Sequence, residues 1–69
     1  MMRAEIGQKA GEIFDFLKQN GELPLSTFER RLVGSRAVIQ AAVGWLAREG
    51  KISFRRQGRS TLVKLLPEE

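Results

Sequence analysis

Ile6, Ala10, Ile13, Phe14 and Leu17 recur at i, i+4, i+7, i+8 and i+11, with charged and amide side chains between them. That spacing keeps one stripe of a helix apolar and predicts an amphipathic helix over residues 3–19. Asn20-Gly21 ends it, because Gly suits the left-handed cap of a helix C-terminus. Pro24 disfavours helix, so residues 22–25 read as an extended link or one short strand. Ser26 and Glu29 have capping-box spacing, with Ser26 as cap and Glu29 reaching back. Phe28 and Leu32, one turn apart, give the buried side of a short second helix reaching about residue 33. Gly34 ends that helix, and Ser35 can cap the next. A third helix over residues 36–49 closes at Gly50; Ile39, Val43 and Leu46, with Ala42 beside them, form its core stripe. Beyond Gly50 the helical period gives way to alternation: Ile52 and Phe54 against Ser53 and Arg55. KISFRR and STLVKLL therefore read as strands, joined by a turn at residues 57–60 in which Gly58 supplies a positive φ. Pro67 ends the second strand.

A tight turn between two short helices is the helix-turn-helix signature. With the hairpin added, the order of elements is similar to the winged helix-turn-helix fold over essentially the whole chain. The expected class is α+β: three helices and a C-terminal two-stranded wing, in one domain of residues 1–69. Two runs narrow the resemblance: EIGQKAGEIFDFL, which carries Gly7 and Gly11, and GWLAREGKI. In these the chain resembles a family of small bacterial winged-helix proteins of unknown function. One departure is visible. Such turns often read Gly, aliphatic, Ser, whereas here Leu32-Val33 come first and Gly34-Ser35 follow directly. The resemblance implies a cytoplasmic DNA-associated or transcription-regulating protein, with its third helix in the major groove and its wing on phosphates. Fold alone does not fix that function, so the residues must carry it.

Charge gives the resemblance content. The 69 residues have a net charge of +4, but unevenly placed. Residues 1–29 hold three basic and five acidic side chains, residues 30–64 hold nine basic and one acidic, and Glu68 and Glu69 close the chain. Such polarisation predicts one positive face and an anionic partner. Cys and His are both absent, which removes disulfides, thiol chemistry and the commonest general base, and speaks against a zinc site. Glu12 and Asp15 read as a solvated helix face, and no Ser has a His partner, so no enzyme, metal or cofactor is expected. No apolar run is long enough for a signal peptide or a membrane span.

Two sets of residues are candidates for function. For nucleic acid they are Arg30 and Arg31 on the second helix, Ser35 and Arg36 at the start of the third, Gln40 one turn on, and Arg55, Arg56 and Arg59 on the wing. Arg suits guanine and Gln suits adenine, while Ser35 and the helix N-terminus can hold a phosphate. Lys51 and Lys64 add to the wing's charge, although edge strands also carry cations merely to block aggregation. Direct base reading is thin, because the outer face of the third helix otherwise shows Ala37, Ala41, Gly44 and Trp45. That apolar excess defines the second set. Val38, Ala41 and Trp45 form a stripe beside the core stripe, and Gly7 and Gly11 are spaced for close approach of another helix, within the chain or across a dimer. They predict a homodimer or a protein partner, unless Trp45 packs inward against its own chain.

Overall fold

The computed structural model of the chain describes residues 2–67; Met1, Glu68 and Glu69 lie outside the described residues. Its elements run α1 (Met2–Asn20), β1 (Leu23–Pro24), α2 (Leu25–Arg31), α3 (Arg36–Arg48), β2 (Ile52–Gln57) and β3 (Ser60–Leu65). The strands form one antiparallel sheet in the order β1-β3-β2. This is the α+β winged helix-turn-helix architecture expected from the sequence. The residues between α1 and α2 take the strand alternative: Leu23 pairs with Val63 and Pro24 with Leu62. Pro has no N–H to donate to a ladder, and it is tolerated here because β1 is an edge strand with one side unpaired.

The core lies between the three helices and one face of the sheet. Ala10, Ile13 and Leu17 of α1 meet Phe28 of α2, Ile39, Ala42, Val43 and Leu46 of α3, and Ile52 and Val63 of the sheet. Phe28 is fully buried, and the Phe16 ring meets it edge-on at 6.1 Å between centroids. The stripe read from α1 needs one correction. Phe16 packs against the core and Phe14 does not; the Lys18 ammonium instead lies 5.7 Å from the Phe14 ring centre. Helical spacing alone admits either ring, and α2 covers only the side where Phe16 emerges. Phe54 is a second departure. It shares a face with the buried Val63 opposite it, as alternation requires, yet remains exposed. Val63 lies on the central strand, whereas Phe54 lies on the edge strand β2.

The start of α2 also differs from the sequence reading. The helix begins at Leu25, and Pro24 (φ −62°, ψ 142°) takes the N-cap position without a side-chain hydrogen bond. Ser26 thus lies inside the first turn, and no capping box forms. Pairing of Pro24 with Leu62 holds the backbone extended up to residue 24, which leaves Leu25 as the first residue free to coil. The helix stops at Arg31, and extended Leu32 donates its N–H to the Phe28 carbonyl at 3.0 Å.

The turn between α2 and α3 is fastened by α1. Lys9 donates to the Val33 carbonyl and, at 2.9 Å, to Glu12. Gly34 has φ 137°, and a Cβ there would lie 3.2 Å from Lys9 Cε. The Gly-Ser order of this turn therefore has two reasons: a backbone angle that other residues resist, and room for the lysine. Ser35 then caps α3 as expected, its Oγ accepting from the Val38 N–H at 3.2 Å. At the far end, Gly50 donates to Ala47 at 3.1 Å and Lys51 to Leu46 at 3.0 Å, a Schellman closure that turns the chain into β2. The wing turns tightly at Gly58-Arg59, between the paired Gln57 and Ser60.

Candidate nucleic-acid interface

The third helix presents its polar candidates Arg36 and Gln40 in contact with a carboxylate of the second. Glu29, on the side of α2 facing α3, accepts from Gln40 Nε2 at 3.0 Å and from Arg36 at 3.3 Å. Both residues suited to reading bases are thus held by one carboxylate. The Gln40 hydrogen bond and then the Arg36 guanidinium lower the Glu29 pKa. Ser35 uses its hydroxyl as the cap of α3. Arg36 and Gln40 stay exposed despite the Glu29 contact, and α3 also leaves Ala37, Gly44, Trp45 and Arg48 to solvent, with Ala41 half-buried among them.

The wing repeats this pattern once. Arg55 lies on β2, and its guanidinium reaches across β3 to Glu22, just before β1, with both nitrogen–oxygen distances 2.8 Å. A two-point guanidinium–carboxylate pair has strong geometry, and here it ties the outer strands together. The Arg55 hydrogen bond holds the Glu22 carboxyl below its ordinary pKa, and the same contact raises Arg55. Neither Glu22 nor the true role of Glu29 was found from sequence. Each meets its partners only through folding, from 33 residues away for Glu22 and from 7 and 11 for Glu29.

These pairs make a pH prediction. Glu22 and Glu29 both have depressed folded pKa values, so their contribution is present above the ordinary carboxylate range. It is lost as pH falls through the lower, folded values. The unfolding midpoint is expected to fall on acidification, and to fall less in Glu22→Gln. A side-chain carboxyl NMR titration checks this directly. A Glu22 midpoint no lower than in the denatured chain would mean that the pair does not form in solution.

Other cations remain. Arg30 and Arg31 are exposed in the last turn of α2, and Arg56 and Arg59 are exposed on the wing. Among the described residues, none of these four is in a salt bridge. The second candidate set falls elsewhere, on the face shared by α1 and α3. Trp45 is 46 % exposed, whereas Val38 is only 6 % exposed and so leaves the proposed stripe for the chain's own interior. Two shallow clefts flank Trp45 and share Gly7. One includes Arg3, Ala41 and Gly44; the other includes Gly11, Phe14 and Asp15. Four of the five residues of that set, Gly7, Gly11, Ala41 and Trp45, are therefore neighbours. The described residues contain no group of His, Cys, Asp or Glu able to hold a metal, and no helix long and apolar enough to cross a membrane.

The sequence model of the winged helix-turn-helix domain family DUF2582 matches residues 1–65. The chain is also similar to "Uncharacterized protein MJ1608" of Methanocaldococcus jannaschii, with 37 % identity over 67 residues, 93 % of this chain and 94 % of the relative. That relative is archaeal, so it lends no support to the bacterial origin that the sequence resemblance implied. No solved structure matches.

Proposed function

The chain belongs to the winged helix-turn-helix domain family DUF2582, and from that premise we propose that it binds duplex DNA, mainly through phosphates touched by its wing and second helix. The observation that carries this reading is the sorting of the cations. Arg36 and Arg55 are matched by carboxylates, whereas Arg30, Arg31, Arg56 and Arg59 stand exposed without an acidic partner among the described residues. Guanidinium groups suit phosphate oxygens, and contacts of this kind position a protein on DNA without reading sequence. Base reading by Arg36 and Gln40 would require them to leave Glu29. A DNA-associated or regulatory protein of low sequence preference fits this arrangement.

The test is a salt titration of binding to duplex DNA. Four phosphate contacts give a slope of log affinity against log salt near −3.6, equivalent to a loss of roughly 150-fold between 50 and 200 mM salt. Two duplexes of unrelated sequence should give similar curves. Absence of binding at 50 mM salt would end this reading.

A further inference from the structure

The face around Trp45 is not explained by nucleic-acid binding. We propose that it pairs with the same face of a second copy of the chain, about a two-fold axis that sets the two α1 helices antiparallel. The argument begins with Trp45, which stands half-exposed between two clefts instead of folding inward. A projecting ring beside clefts on one surface is self-complementary, as a two-fold contact requires. Each Trp45 enters a cleft of the other copy.

Charge sets the direction of the pairing. One cleft includes Arg3 and Arg48, and the other includes Asp15 and Lys51. Among the described residues none of the four takes part in a salt bridge. An axis passing between Gly7 and Gly11 lies equally far along α1 from Arg3 and from Asp15. Antiparallel α1 helices then bring Arg3 of each copy level with Asp15 of the other. The reversed copy therefore sets each Arg3 against an Asp15 carboxylate.

The glycines fit the same arrangement. A Cβ at Gly7, Gly11 or Gly44 would meet nothing within 4 Å, so no internal contact requires their smallness. Gly inside a helix is unfavourable relative to Ala, and a facing backbone gives it a use. The available size is close to what a stable dimer needs. The 19 residues of α1 span about 28 Å, and two packed helices are roughly 20 Å wide, so the face covers roughly 560 Å² in projection. That approaches the lower end of stable interfaces, about 600 Å² per partner.

The experiment is sedimentation equilibrium on the full chain and three variants, across micromolar to millimolar concentration. The wild type is expected at twice the chain's 7.8 kDa. Gly7→Leu fills the cleft from an open position, so it should stay helical and become monomeric. Arg3→Glu alone should weaken the dimer about tenfold or more, by creating two repulsions per dimer. Arg3→Glu with Asp15→Arg should restore it to within about threefold of wild type. A monomeric wild type at millimolar concentration overturns the proposal, as does a dimer that Gly7→Leu leaves intact. A double charge swap no better than the single one overturns the antiparallel register. None of these outcomes depends on DNA, so failure here and failure of the nucleic-acid reading are separate.

Discussion

Phe28→Ala is expected to lose about 3–5 kcal/mol of stability. The side chain is fully buried, and it is where α2 joins the core formed by α1, α3 and the sheet. Removing it leaves a cavity and also deprives Phe16 of its edge-on neighbour. A chain of 69 residues has a total stability of roughly 3–10 kcal/mol, so the variant should lose roughly a third to all of it. Urea unfolding followed by helical circular dichroism measures the loss. Val33→Ala is the control: Val33 is 86 % exposed, and its truncation should change stability by about 0.5 kcal/mol or less. If Phe28→Ala cost no more than that control, α2 would not be an integral part of the core.

Arg56→Gln with Arg59→Gln is expected to reduce DNA affinity about 60-fold at 0.1 M salt, and to flatten the salt slope from near −3.6 to near −1.8. The arithmetic assumes two of four phosphate contacts removed, with the affinity extrapolated to 1 M salt unchanged. Both side chains are exposed on the wing, so the fold should survive the change. The loss should be equal on unrelated duplexes, since phosphate contacts carry no sequence information. Arg55→Gln is the informative contrast. Its guanidinium is already held at two points by Glu22, so it should cost little binding, and its effect should appear in stability instead. An unchanged slope in the double variant would remove the wing from the DNA-contacting surface. A loss in Arg55→Gln as large as in the double variant would show that Glu22 releases its partner on binding.

The two cation classes also bear on how the fold uses its acidic residues. Although the chain is basic, Glu22 and Glu29 stand where they restrain the wing and the start of α3. Glu29 holds Arg36 and Gln40, while Glu22 braces β1 against β2 across the intervening strand. Under the proposed DNA-binding function, that placement predicts affinity without strong sequence preference.

Much of the fold was determined by the sequence alone, because its signals are local. The apolar stripes of α1 and α3, the stops at Gly21 and Gly50, the Ser35 cap and the alternation after Gly50 all act within a few residues. Those elements appear within one or two residues of their predicted ends. Tertiary structure decided what depends on partners distant in sequence. Pairing of Pro24 with Leu62 moved the start of α2 and dissolved the Ser26 capping box. The packing of α2 chose Phe16 over Phe14 for the core. Folding also brought Glu29 to Arg36 and Gln40, Glu22 to Arg55, and Lys9 to the turn before α3. It drew Val38 inward while leaving Trp45 in the open. Periodicity states which side of a helix is apolar. It does not state which neighbour covers that side, because coverage depends on helix crossings and strand register, and these are fixed only when the whole chain packs.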